Sequence, residues 1–170
     1  MEQKKILAVV VAGIKNNNNW LLIKRERGDY QQKWALVGGK IQFNETIQDA
    51  ITREIAEETG LNVKWDGIKA ILNERLMDKR NGETVKQFII FLCQTAFKEG
   101  EIKPTEEGEL KWFSEFEIEE NKERIIPSDY YMLRELMKRE NAQSIFEVKL
   151  IKENNELSLG FIEEYNDSFY

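Results

Sequence analysis

The rhythm of apolar and polar positions changes several times along the chain, and each change predicts an element. Residues 6–14 form a continuous apolar run, which predicts a buried strand. Residues 20–27 predict a second strand. The four asparagines at 16–19 lie between the two and make them a hairpin. Residues 34–37 predict a short strand that runs into Gly38-Gly39. The period then lengthens. Ile47, Ile51 and Ile55 recur every four residues, which predicts a helix with one apolar stripe. Asn44 reads as its N-cap, with Glu45 and Thr46 in the first turn, and Gly60 as the residue that ends it. Residues 63–77 read as extended, the Asn81-Gly82 turn signal lies within 78–83, and residues 84–97 return as a strand carrying FIIFLC.

The second half is read in the same way. Residues 109–113 (ELKWF) predict a strand. Residues 114–121 predict a short acidic helix with Ser114 as N-cap. Ser128 reads as the cap of a helix over 129–138, with Tyr130, Leu133 and Met137 on its apolar face. Residues 144–165 alternate in two arms around Asn154-Asn155 and predict a β-hairpin. Phe146, Val148 and Leu150 form the apolar face of one arm; Leu157, Leu159 and Phe161 form that of the other. A free two-stranded hairpin is marginal in water, so this face must cover something. Docking on the edge of the chain's own sheet is expected, with homodimer formation through it as the alternative. The layout is α+β, with residues 1–140 as the main domain and 141–170 as a β-hairpin extension of the same domain. No internal repeat is evident.

Composition narrows the function classes. One core suits 170 residues, and 41% hydrophobic content fills it. A net charge of −6 argues against a nucleic-acid polymer as partner. No apolar run approaches a membrane span and no signal peptide is visible, so no membrane partner is expected. The single cysteine, Cys93, reads as a small core hydrophobe and permits no internal disulfide. The chain is expected to be cytoplasmic.

Charge on the predicted 47–59 helix is the strongest chemical signal. Glu54, Glu57 and Glu58 share one helical side with Arg53, four residues before Glu57. Each carboxylate makes its neighbours harder to ionise. A hard divalent cation removes that penalty, because it seeks several oxygen ligands. With no histidine and one cysteine, Mg²⁺ or Mn²⁺ fits and zinc does not. Arg53 supplies a fixed counter-charge that can hold Glu57. A solvated acidic face is the competing reading, and the glycine pair beside the cluster argues against it. Acidic overall charge repels a phosphorylated small molecule, which makes a metal bridge between carboxylates and phosphates more apt.

Residues 39–61 read GKIQFNETIQDAITREIAEETGL. Gly39, Glu45, Arg53-Glu54-Ile55, Glu57-Glu58 and Gly60-Leu61 stand at the spacing of the Nudix signature, and the stretch resembles the Nudix (MutT-like) hydrolases. Val37 stands where that family usually has proline. The resemblance covers about residues 4–138. It implies an αβα sandwich around a mixed sheet, with the signature as loop-helix-loop. It implies hydrolysis of a nucleoside diphosphate linked to another moiety, with Glu54, Glu57 and Glu58 as metal ligands, Gly39 adding a backbone ligand, and Arg53 orienting the carboxylates. Glu45 takes a bracing role. A further acid outside the signature is expected on the loop at 104–109, where Glu106 is favoured over Glu107. Arg25, Arg27, Gly38, Gly39 and Lys40 are candidates for phosphate contact, and Asp129 for a nucleobase edge. Trp34 reads as core. The downstream proline of ADP-ribose hydrolases is missing near 75–78, as is the tyrosine of dinucleoside polyphosphate hydrolases. Elimination therefore points to a nucleoside triphosphate, oxidised forms included, cleaved to monophosphate and pyrophosphate. ADP-ribose or a dinucleoside polyphosphate is the alternative, and a non-catalytic ligand sensor is a third reading.

Overall fold

The computed structural model describes residues 5–103, 106, 108–138, 143–154 and 156–165. The sheet is built from β1 (Ile6–Asn16), β2 (Asn19–Arg25), β3 (Trp34–Ala35), β4 (Val37–Lys40), β5 (Asn62–Asp78), β6 (Thr84–Glu99), β7 (Gly108–Ser114), β8 (Ser144–Glu153) and β9 (Glu156–Tyr165). The helices are α1 (Ile47–Thr59), α2 (Glu115–Glu120) and α3 (Pro127–Met137). The strands join in the order β3-β2-β1-β6-β5-β8-β9, with β4 on β1 and β7 on β2. Pairing of β1 with β6 and of β5 with β8 is parallel, and the other pairs are antiparallel, so the sheet is mixed. α1 packs on β4, β1 and β5, and α3 on β5, β8 and β9.

Local chemistry explains where the elements stop. Asn17 turns β1 into β2 with φ 54°, a left-handed angle that asparagine tolerates. That hairpin is much shorter than the pattern implies. Only Lys15↔Trp20 and Asn16↔Asn19 pair, because β4 takes the same edge of β1 over Val9–Ala12. The predicted 34–37 strand divides at Leu36 into β3 and β4, which serve different neighbours, β2 and β1. α1 begins two residues later than expected for an Asn44 cap. Asn44 has φ 68°, and Thr46 is the cap, accepting the Asp49 N–H at 3.1 Å. Gly60 ends the helix with φ 73°, as expected. Ile51 and Ile55 are fully buried, each contributing about 1.5–3 kcal/mol of burial.

α2 carries the predicted Ser114 cap as a capping box with Glu117. Ser128, by contrast, does not cap α3. The helix starts at Pro127, after Ile126, and Ser128 is buried inside the first turn. Its inner face is consequently Asp129, Met132, Leu133 and Leu136, while Tyr130 and Met137 lie at its margins. Pro127 suits the first turn, where its missing N–H costs nothing.

The C-terminal arms extend the sheet. β8 pairs with β5 and buries Phe146, Val148 and Leu150. On β9, Leu157, Leu159 and Ile162 pack on the core. Phe161 does not share their face. The pairing slips between Lys149↔Phe161 and Leu150↔Leu159, so Gly160 is the extra residue and Phe161 turns outward to Lys149 and Arg75. Asn155 of the predicted turn lies outside the described residues. Cys93 is buried in β6, and burial pushes its thiol up to about 12. Among the described residues no helix is long and apolar enough to cross a membrane.

Candidate active site

One register of the sheet sets the floor of the site. Gly38 faces Val11 and Lys40 faces Val9 across β4 and β1. Val9 pairs with Ile90 and Leu7 with Phe88 across β1 and β6. Ile90 pairs with Leu72 and Phe88 with Glu74 across β6 and β5. A cavity of ≈ 740 Å³ lies over this floor. Three strand spacings separate β4 from β5, about 14 Å, so the cavity spans a nucleotide-sized distance.

At the β4 end stand the acids of α1. Arg53 organises them. Its Nε and Nη2 donate to the two Glu45 oxygens at 2.6 and 3.0 Å, and its Nη1 to Glu54 at 2.7 Å and Glu57 at 3.1 Å. Nη2 also donates to the Lys40 carbonyl at 3.2 Å, tying helix to strand. The Arg53 guanidinium, with the Gln42 N–H, holds the Glu45 carboxyl down at about 2. Glu45, Glu54 and Glu57 in turn hold the Arg53 proton more tightly than usual. Glu58 accepts the Gly38 N–H at 3.1 Å. Close approach to the β1 backbone requires Gly38, and Gly39 leaves room for the Glu54 carboxylate. A Cβ on Gly38 would lie 2.1 Å from the Val10 carbonyl oxygen, and one on Gly39 would lie 2.6 Å from the Glu54 carboxylate.

The opposite end is deep and dry. Glu74 is 2% exposed on β5, and Asp129 is 7% exposed at the start of α3. Tyr30 donates its hydroxyl to Glu74 Oε1 at 3.0 Å, and the Leu36 N–H donates to Asp129 at 2.7 Å. Burial pushes Asp129 up to about 7 against the pull of the Leu36 N–H, with Glu74 adding to the rise. Burial likewise raises Glu74 and Tyr30. At the rim, Asp29 accepts from Lys86 and, at 2.7 Å, from Lys152 of β8.

Of the residues singled out from the sequence, Arg25, Gly38, Gly39, Lys40, Glu54, Glu58 and Asp129 line this cavity. Arg53 stands behind it. Glu57 has a 61% exposed side chain turned to Arg53. Arg27 and Glu106 stand off together: their side chains are 73% and 96% exposed and 3.9 Å apart. Glu107 lies outside the described residues. Trp34 is core, edge-on to Phe113. Tyr30, Glu74 and Lys86 line the cavity too, and sequence reasoning missed them. Glu74 had a signal: it is the one acid in the alternation Ala70, Leu72, Glu74, Leu76, which otherwise reads as a buried face. Tyr30 sits in an irregular loop and had none.

The donors at the β4 end are hard oxygens, and the missing Cβ of Gly39 opens space against Glu54. That chemistry fits a divalent cation. As they lie, no three acids among the described residues converge into a ready cage, because Arg53 draws Glu54 and Glu57 to itself.

Comparison with known proteins agrees with this geometry. The NUDIX domain family model matches residues 4–136. An ADP-ribose pyrophosphatase of Methanocaldococcus jannaschii is 35% identical over 95 residues, covering 55% of this chain and 56% of that protein. The nucleoside triphosphatase NudI of Escherichia coli is 32% identical over 110 residues, 60% of this chain and 76% of that protein. A MutT protein structure from Bacillus halodurans superposes with a TM-score of 0.77 at 22% identity, covering 93% of this chain and 97% of that one. A MutT Nudix hydrolase from Burkholderia pseudomallei superposes at 0.63 with 26% identity, over 79% and 100% of the chains. With the signature helix, its glycine strand and a match across most of its length, the chain belongs to the Nudix hydrolase family.

Proposed function

We propose that the chain is a Mg²⁺-dependent phosphoanhydride hydrolase that cleaves a nucleoside triphosphate, oxidised forms included, to monophosphate and pyrophosphate. The observation that supports this is the asymmetry of one cavity. Oxygen ligands and glycine backbone lie at the β4 end, and an enclosed, apolar-walled end with two acids lies about a nucleotide's length away. Phosphoryl chemistry of this kind needs positioning and charge neutralisation more than covalent help. Glu54, Glu57 and Glu58 would hold the cation, with Mn²⁺ as a substitute and Gly39 adding backbone oxygen. A cation held there would supply charge neutralisation on the phosphates and a more acidic attacking water. Arg53 keeps Glu54 and Glu57 in register, and the Gly38 N–H holds Glu58. Arg25 and Lys40 reach the phosphates from the rim. Glu106 and Arg27 stand outside this arrangement.

A second reading has a specific observation behind it, the similarity to a protein named ADP-ribose pyrophosphatase. A single assay separates the two. Release of phosphate or pyrophosphate is measured on nucleoside triphosphates, ADP-ribose and a dinucleoside polyphosphate, with Mg²⁺ and with chelator. The triphosphates are expected to give the highest kcat/KM, and chelator to abolish turnover. Equal or higher kcat/KM on ADP-ribose would overturn the triphosphate reading. Residues 1–140 are proposed as the catalytic unit and 141–170 as its extension. The chain is proposed to work in the cytoplasm on a small nucleotide.

A further inference from the structure

Glu74 stands apart from every residue that the Nudix signature provides. It is 2% exposed, on the central strand β5, and its side chain lines the cavity floor. Its Oε1 accepts the Tyr30 hydroxyl at 3.0 Å, which fixes the carboxyl's orientation. Its Oε2 is buried and has no hydrogen-bond partner among the described residues. Such an atom is costly, because a buried acceptor has given up water without gaining a partner. Its neighbours on the same face of β5 are Leu72 and Leu76, and its partners in the ladder are Phe88 and Val148, so the packing of β5 itself calls for an apolar side chain here. The Tyr30 hydroxyl uses only one of the two carboxyl oxygens. The Ser128 hydroxyl, at the start of α3, is buried beside the Glu74 and Asp129 carboxyls and lowers both, without a well-aligned hydrogen bond to either. Two incompletely satisfied polar groups, with Asp129 beside them, therefore meet at the closed end of an apolar-walled cavity.

We infer that Glu74 reads the nucleobase, and that its free carboxyl oxygen selects bases bearing an exocyclic amino group over their oxo counterparts. This rests on the nucleotide reading above and names the feature of the substrate that reading leaves open. The argument is one of complementarity. An amino group is a donor, and beside it lies a ring nitrogen, as in adenine and cytosine, or a ring N–H, as in guanine. With Oε1 held by Tyr30, the carboxylate presents Oε2 as an acceptor to that amino group. Burial raises the Glu74 carboxyl, and the Ser128 and Tyr30 hydroxyls oppose that rise. Replacing the amino group by a carbonyl, as in uracil or hypoxanthine, sets acceptor against acceptor. Buried polar groups then stay unpaired, the situation in which sites discriminate most strongly. Phe88, Leu7 and Met132 supply apolar surface for the base planes.

Two matched pairs isolate the amino group: CTP against UTP, and ATP against ITP. The wild-type chain should favour the amino-bearing member of each pair by about tenfold or more in kcat/KM, the scale of one hydrogen bond to a charged group. Glu74→Gln tests the assignment at constant shape. Tyr30 donates to the amide oxygen, so the amide N–H₂ faces the base, and preference should vanish or reverse towards UTP and ITP. The monophosphates CMP, UMP, AMP and IMP, titrated calorimetrically without divalent metal, give the same comparison independently of turnover. If Glu74→Gln fails to fold, the wild-type ratios still decide. Equal wild-type kcat/KM and affinity within both pairs, or unchanged ratios in a folded Glu74→Gln, would overturn the inference. Triphosphate cleavage without amino-group discrimination sinks this inference and leaves the reaction intact. Discriminated monophosphate binding without any nucleotide cleavage does the opposite.

Discussion

The two ends of the cavity are both acidic, and they are built in opposite ways. At the β4 end, Glu45, Arg53, Glu54, Glu57 and Glu58 all come from one short stretch: helical periodicity gathers the last four, and Glu45 reaches Arg53 from the loop before α1. Arg53 offsets their repulsion by pairing with Glu45, Glu54 and Glu57. At the β5 end, Tyr30, Glu74 and Asp129 come from a loop, a central strand and the last helix. They are dry, and burial pushes both acids up. Charge is tolerated at the first end because a counter-charge is local. At the second, tertiary contacts hold the acids: the Tyr30 and Leu36 hydrogen bonds, the Ser128 hydroxyl and the Arg25 charge near Asp129. The first arrangement suits charge neutralisation on phosphates; the second suits reading the shape and hydrogen-bond pattern of an uncharged group.

That contrast can be broken first at the wet end. Glu58→Gln is expected to lower turnover by about 10³-fold with circular dichroism and thermal melting nearly unchanged, since the amide still accepts the Gly38 N–H but loses its charge. Near-native turnover in Glu58→Gln would mean that the acidic side of α1 is not where the chemistry occurs. Arg53→Lys should be milder, about 10–100-fold in kcat, because lysine keeps the charge but cannot serve Glu45, Glu54, Glu57 and the Lys40 carbonyl together. A rate within twofold of wild type would show that charge, not fork geometry, is what the carboxylates need.

The dry end should respond in stability. The Asp129 carboxyl is raised from 3.8 to about 7 on folding, so the folded state holds its proton more tightly. Its protonated form is favourable below about pH 4, and the advantage is lost as pH rises through about 7. Asp129→Asn keeps an acceptor for the Leu36 N–H and removes the buried charge. It should be neutral at low pH and stabilising by about 1–2 kcal/mol at pH 8 in urea titrations. A variant less stable than wild type at pH 8 would place a specific counter-charge beside Asp129. The smallest effect is expected at the rim. Lys152→Met removes one of two lysines on Asp29, both partly exposed. About twofold in KM with kcat unchanged is expected, the scale of a surface ion pair, with rescue by Lys152→Arg. No change in KM would detach β8 from substrate binding.

Much of this was legible in order along the chain. The sequence by itself determined α1 and its acids, the glycine strand, the Ser114 cap and the paired C-terminal arms, because each depends on residues within a turn or a strand of one another. Only the tertiary structure decided the rest. It cut the β1–β2 hairpin to two pairs by giving that edge of β1 to β4. It put Ser128 inside α3 rather than at its cap, and it turned Phe161 outward through the slip at Gly160. It left Glu106 in solvent, paired with Arg27. Above all it carried Glu74 to the floor of the cavity, where Tyr30 from a distant loop fixes one oxygen. Periodicity reports which face a residue takes, but not which neighbour that face will meet. The neighbour is set by sheet order and register, which depend on contacts far apart in the sequence.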